Sequence, residues 1–351
     1  MIKKHWWKAL GVVLLIYAFT VGLLVPLKPG IQQVSPRSAD AGTPITVLVN
    51  GYNTSYPADP TAIRAWLKVD SIHALAANSI RQTSRRAIEL DFVLPASLPS
   101  RADVMPASLI IDEAQSGVQV LPDAVFIRQQ VLDPAAGNIA WSQTVIQDLH
   151  KTSGMNFPFR NILKETIRNT YFHVSLWFAM LFLFIASVYY SIKHLRTREL
   201  IYDHWAESFT RIGVLFGILG LTTGAVWARF TWGAFWSWDI KQNMTAIALL
   251  IYLAYFVLRN SFEDAERQAR LGASYNIFAF SLLIPLIYII PRLSDSLHPG
   301  SGGNPAFGSE DLDNTMRMVF YPAIIGWTLL GYWLANLSAR LLILREKYLS
   351  E

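Results

Sequence analysis

The chain has 351 residues, of which 52% are hydrophobic and only 16% charged, and its formal net charge is +5. A soluble domain of ordinary composition carries about a quarter charged residues, so the mean hydropathy of +0.30 excludes a simple water-soluble globule and points to an integral membrane protein. Cysteine is absent, which excludes disulfides, thiolate metal centres and thioether attachment of a prosthetic group to this chain.

The apolar run 6–27 follows Lys3 and Lys4 and contains Lys8. Its length, and an exit at residues 26–30 without a small-x-small cleavage pattern, predict an uncleaved first membrane helix over 1–30. The basic start places the N-terminus in the cytoplasm. Over 31–133 short alternating or apolar runs, such as 45–49, 87–93, 108–111 and 124–127, are separated by Pro, Gly, Asn, Ser and Asp. That texture predicts a small all-β extracytoplasmic domain. Its opening, Val34-Ser35-Pro36-Arg37 through Gly42-Thr43-Pro44-Ile45, loosely resembles an immunoglobulin-like module of the transcription-factor type. Residues 134–170 read as a polar connector with amphipathic helices, for example over 138–151.

Five further runs, 171–192, 209–229, 244–258, 275–291 and 318–337, approach the roughly 20 residues that cross a bilayer core, giving a membrane domain over 171–351. Lys193, His194, Arg196 and Arg198 close the first of these, residues 259–270 follow the third, and Arg340, Arg345 and Lys347 close the last. These basic groups mark the cytoplasmic side; they encode orientation and call for no nucleic acid. The predicted fold is therefore an all-α polytopic membrane protein of six transmembrane helices, N-in and C-in. It carries an inserted small all-β, immunoglobulin-like domain on the outer side.

Four of the twelve tryptophans fall within residues 227–239: Trp227, Trp232, Trp236 and Trp238. They sit where a membrane helix ends at the outer face, a depth at which single Trp residues are anchors. Four Trp with Phe230, Phe235, Gly233 and Asp239 are denser than anchoring requires. A flat aromatic shelf there suits a large planar ligand such as a porphyrin. Haem iron takes one or two axial ligands, most simply imidazole. Of seven histidines, His5, His194 and His204 are predicted on the cytoplasmic side, His73 in the β domain and His150 in the connector. His173, opening the second helix, and His298, in the outer loop 292–314, remain at the depth of the Trp cluster. Asp239 precedes a predicted helix and reads as its N-cap, or as a polar partner of Trp238, of a ligand histidine or of the haem edge. Arg229, Lys241 and Arg317 are candidates for the haem propionates, with Arg favoured by its bidentate geometry.

Trp232-Gly233-Ala234-Phe235-Trp236-Ser237-Trp238-Asp239 resembles the WWD signature W-G-x-x-W-x-W-D of haem-handling proteins of cytochrome c biogenesis, the CcmC/CcsA family. Thr223-Gly224-Ala225-Val226-Trp227-Ala228-Arg229, Tyr171-Phe172-His173-Val174 and Ser296-Leu297-His298-Pro299-Gly300-Ser301 fit the same pattern. The chain most resembles CcmC over its first helix and residues 170–348. The resemblance implies haem b held at the outer face of a bacterial inner membrane, with His173 and His298 as axial ligands and the WWD segment beside it. It also implies partners: a CcmE-like haem chaperone, ABC transporter subunits and a CcmD-like small membrane subunit. Two departures stand out. Phe235 replaces a common Trp, and the first inter-helix loop, short in ordinary CcmC, runs over 31–170. A CcsA-type synthetase component is the alternative within the family; it typically has further histidines within the membrane. A membrane b-type cytochrome is the alternative outside it, but such proteins bury histidine pairs inside helices. No bond chemistry is expected, so the chain is read as a haem-transfer protein rather than an enzyme.

Overall fold

The computed structural model describes residues 2–142, 144–152, 154–298 and 312–350. They form two compact units, one of Pro26–Lys164 and one of Met1–Val25 with Glu165–Glu351.

The first unit is two β-sheets around one core. Strands β1 (Gly30–Ser35), β3 (Pro44–Tyr52), β7 (Ala87–Val93) and β6 (Ser79–Ser84) form one sheet in the order β1-β3-β7-β6. Strands β2 (Ser38–Asp40), β9 (Gly117–Arg128), β8 (Val104–Glu113), β4 (Ile63–Lys68) and β5 (Ala74–Ala76) form the other, in the order β2-β9-β8-β4-β5. All pairings are antiparallel except β2 with β9. Successive side chains of a strand point to opposite faces. Val47, Val49, Leu90 and Phe92 of one sheet and Leu67, Leu109, Ile111 and Ile127 of the other accordingly share a single buried cluster. The four predicted runs fall in β3, β7, β8 and β9; the short strands β2 and β5 carry no apolar alternation that the sequence could betray.

Helix α2 (Pro134–Trp141) is capped by Asp133, which accepts from the Ala136 N–H, and has Pro at its start. It ends where Trp141 enters the core and its indole N–H donates to Ser97 O (3.2 Å). The helix expected over 138–151 is therefore shorter and begins earlier. Beyond it the backbone is held by the fully buried Asp112, which accepts from the His150 N–H (2.8 Å), His150 Nδ1 (2.9 Å) and Arg64 Nε (3.2 Å). Burial alone would raise the Asp112 carboxyl, but these partners hold it below the usual carboxylate range.

The second unit contains six helices long and apolar enough to cross a membrane, and the protein is a multi-pass membrane protein. They are α1 (Ile2–Leu24), α3 (His173–Thr197, entered through a 3₁₀ turn), α4 (Leu200–Trp232), α5 (Ile240–Asn260), α6 (Ala265–Ile284) and α7 (Asn314–Ser350). Helices α3 and α4 run antiparallel through a ladder of close approaches. A Cβ on Gly213 would lie 2.5 Å from Phe184, on Gly217 3.1 Å from Met180, on Gly220 2.9 Å from Trp177 and on Gly224 2.5 Å from His173. Small residues at this spacing let membrane helices approach closely enough for dispersion to hold them. The ladder also fixes the register in which His173 and Trp177 meet the far end of α4.

At the opposite end, α4 begins nine residues before its apolar run, at Leu200 rather than at 209. Arg259, expected in a cytoplasmic loop, is buried in the last turn of α5 and bonds to Asp203 (Nη1–Oδ1 2.7 Å) and Glu207 (Nε–Oε2 3.2 Å) of α4. Hydropathy counts each of these charges against a membrane segment, whereas Arg259 pairs with both carboxylates and Arg211, 2.5 Å from Glu207, supplies the second positive charge that balances them. At the site end α6 gives way to a π-turn at Pro285–Ile289 and a 3₁₀ turn at Ile290–Arg292. Pro285 lacks the N–H that would continue the α ladder, and the chain is released toward Ser296 and His298.

Candidate functional site

Five elements meet at one end of the bundle: the start of α3, the end of α4, the 233–239 loop, the start of α5 and the stretch after Arg292. His173 opens α3, and Gly224 faces its imidazole. Nδ1 of His173 lies 2.8 Å from Gly220 O and 3.3 Å from Thr223 Oγ1. The carbonyl can only accept, so Nδ1 carries the proton and Nε2 the lone pair. Trp177, one turn along α3, directs its indole N–H at that Nε2 (3.3 Å).

Helix α4 stops at Gly233, whose φ of +89° is the left-handed closure that glycine allows without strain. The Arg229 guanidinium turns back onto the Gly233 carbonyl and also faces the Phe235 ring. Gln242 of α5 then pins the loop. Its Oε1 accepts from the Ser237 N–H (2.9 Å) and Oγ (3.0 Å), while its Nε2 donates to Phe235 O (3.3 Å). Trp238 takes a left-handed backbone (φ +59°), its carbonyl accepts from Asn243 Nδ2 (2.8 Å), and 79% of its surface is exposed.

Asp239 makes two sets of contacts at once. It caps α5 by accepting from the Lys241 N–H (2.9 Å), and it accepts from His298 Nδ1 (2.9 Å), Ser296 Oγ (2.8 Å) and the Leu297 N–H (2.9 Å). Burial would raise this carboxyl, but the Leu297 and Lys241 N–H groups and Ser296 outweigh it and keep Asp239 ionised. Burial lowers the pKa of His298 against the opposing pull of Asp239, so its imidazole is neutral at neutral pH. Asp239 therefore fixes the Nδ1–H tautomer of His298, just as Gly220 fixes that of His173.

His173 and His298 line one cleft with a cavity volume of about 150 Å³, together with Trp177, Lys241, Gln242 and Thr245. Trp227 and Trp232 stand at the His298 ring, with centroids 5.6 and 4.6 Å away, and meet each other edge to face at 77°. Trp236 and Trp238 form a second edge-to-face pair at 87° beyond Gly233. The cluster is thus two T-shaped pairs rather than the flat shelf expected, because edge-to-face contact suits ring quadrupoles and the helix ends between the pairs. Arg317 lies in the first turn of α7, where it meets Asn314 Oδ1 (3.3 Å), and does not line the cleft among the described residues. Lys241 does. Pro299-Gly300-Ser301 of the motif lie outside the described residues.

Trp177, Gly220 and Gln242 were not singled out from sequence, and Thr223 and Gly224 appeared only within the matched stretch 223–229. Two signals were present: Trp177 stands four residues after His173, one face of a helix, and Gly220 and Gly224 have the G-x-x-x-G spacing. What the site offers chemically is two neutral imidazoles with fixed tautomers beside a cation and an aromatic wall.

The model of the family described as "Heme exporter protein C", CcmC, matches residues 137–351. Heme exporter protein C of Bradyrhizobium diazoefficiens is 29% identical over 184 residues, covering 52% of this chain and 68% of that protein. Its counterpart in Escherichia coli K12 is 28% identical over 137 residues, 39% of this chain and 54% of that protein. Cytochrome c biogenesis protein CcsA of Pelargonium hortorum is 38% identical over 78 residues, 22% of this chain and 24% of that protein. The alignments thus span 54% to 68% of the length of these CcmC relatives. The family match covers α3 to α7 and so every residue of the cleft: this chain belongs to the CcmC family.

Proposed function

We propose that the chain holds haem b as cargo at the extracytoplasmic face of a bacterial inner membrane and passes it to a haem chaperone during cytochrome c maturation. One observation carries this reading: His173 and His298 line the same cleft with each Nδ1–H committed elsewhere and each lone pair on Nε2. Histidines that ligate metals are oriented in this way, by a backbone carbonyl or a carboxylate on the far nitrogen. The donor set fits a bis-imidazole haem, and the space Gly224 leaves beside His173 is one that a side chain would fill.

His173 and His298 would hold the haem iron, which would supply only coordination positions, and no residue makes or breaks a bond in the cargo. Lys241 at the cleft, with Arg229 in the last turn of α4 and Arg317 in the first turn of α7, offers charge to the propionates. Trp227, Trp232, Gly233, Phe235, Trp236 and Trp238 supply apolar contact. The cargo is held at this cleft with an edge left where a chaperone can reach it. CcmE-like, CcmD-like and ABC transporter partners follow from the family, with both termini in the cytoplasm and the β domain on the periplasmic side. A CcsA-type synthetase component is the second reading, supported by the similarity to the Pelargonium CcsA segment.

Complementation tests the role. In a bacterium deleted for its own CcmC, the intact chain is expected to restore haem-stained c-type cytochromes, and the His298→Ala chain, present at equal membrane level, is expected to restore none. Equal rescue by both chains would contradict the proposal.

A further inference from the structure

We infer that Trp177 covers the iron-binding lone pair of His173 and thereby makes His173 the exchangeable one of the two haem ligands; this rests on the haem-handling reading above. Two independent bonds fix the same tautomer of His173. Nδ1 donates to Gly220 O at 2.8 Å. The indole N–H of Trp177, which can only donate, reaches Nε2 at 3.3 Å, with the rings nearly perpendicular at 87°. The lone pair that iron needs is therefore already engaged within the chain.

The packing maintains that engagement. Gly220 leaves the room that the Trp177 ring occupies, and Gly224 leaves the room that the imidazole occupies, with a Cβ meeting them at 2.9 and 2.5 Å. Both rings are consequently held against α4 at their mutual contact, and both line the cleft. His298 is supported differently. Its Nδ1 donates to a carboxylate, Asp239, at 2.9 Å, which raises ligand basicity more than a neutral carbonyl does. The two ligands thus differ in what backs Nδ1, a carboxylate for His298 and a backbone carbonyl for His173. His298 retains the iron, while His173 yields first because Trp177 takes back its lone pair, and the vacated position is where a partner's ligand enters.

The test uses the full chain in detergent, loaded with haem, with excess apomyoglobin as a trap for released haem. Wild type is compared with Trp177→Phe and with a protein carrying 3-benzothienylalanine at 177, which keeps the shape of tryptophan but lacks the N–H. Loss of haem is expected to slow by about three- to tenfold in both variants, the equivalent of one net hydrogen bond, with an unchanged low-spin spectrum. Loss from the benzothienylalanine protein at or above the wild-type rate overturns the inference.

A second readout needs no haem. The ultraviolet resonance Raman difference between wild type and Trp177→Phe is expected to show a hydrogen-bonded indole N–H, moving to the non-bonded position in His173→Ala. A non-bonded indole in wild type overturns the inference as well. Should wild type bind no haem at all, the haem-handling proposal itself fails, and the Raman result still decides whether Trp177 covers Nε2.

Discussion

Asp239→Ala is expected to weaken haem binding by about ten- to hundredfold, the usual consequence of removing the partner that orients a metal-ligating histidine. One carboxylate here has four tasks. It caps α5 through the Lys241 N–H, fixes the His298 tautomer, and holds Ser296 and the Leu297 N–H of the stretch that presents His298. Loss of the cap alone costs roughly 1 kcal/mol. Leaving the Leu297 N–H and His298 Nδ1–H without an acceptor costs about 1–3 kcal/mol for each. Asp239→Asn keeps the shape and one carbonyl acceptor, so it is expected to retain the cap and fall between wild type and Ala. Haem titration of the purified proteins, followed optically, ranks the three. Equal affinity of Asp239→Ala and wild type would mean that Asp239 is a helix cap and nothing more.

Gly224→Ala is the second large effect. The added methyl carbon would lie 2.5 Å from His173 Cε1 and 3.1 Å from Nδ1. An imidazole on the first turn of α3 cannot yield as the tip of a long chain would. The ring is expected to rotate off Gly220 O, and the haem spectrum should change from bis-histidine to a form with His298 alone, with a corresponding fall in affinity. Added imidazole should restore the low-spin spectrum, because only the position of one ligand has been lost. Gly217→Ala is the control. Its Cβ would meet the Leu249 and Met180 side chains, so thermal stability should fall while the bis-histidine spectrum persists. If Gly224→Ala keeps that spectrum and affinity, His173 is not held where the iron binds.

The parts of this site that were legible in sequence are those set by depth in the membrane. Charge bias sorted the helix ends, and only His173 and His298 remained at the level of the Trp cluster. The position of Asp239 before a helix named its cap, and its role toward a histidine was one of the readings open to it. Features that depend on which helices touch were not legible. The Gly213-Gly217-Gly220-Gly224 ladder has a recognisable spacing, but nothing in the chain states that its partner is α3. Trp177 was therefore not distinguished from the rest of the run 171–192. Arg317 was favoured over Lys241 for its bidentate geometry, but the turn of α5 puts Lys241, and not Arg317, at the cleft among the described residues. Arg259 was placed in a loop because hydropathy sees single charges and not the Asp203 and Glu207 that bury it. The β domain was legible as alternation in its central strands, whereas its edges β2 and β5 are too short to show a period.

The most direct test is the optical spectrum of the ferric, detergent-purified chain expressed with ample haem, taken beside His173→Ala and His298→Ala. A low-spin Soret band in wild type is expected, weakened in each variant and partly restored by imidazole, with the deeper loss in His298→Ala because its ligand is the one backed by a carboxylate. A wild type without bound haem, or variants with the wild-type spectrum, would contradict ligation by these two histidines and leave the Trp-rich loop as a membrane-surface anchor.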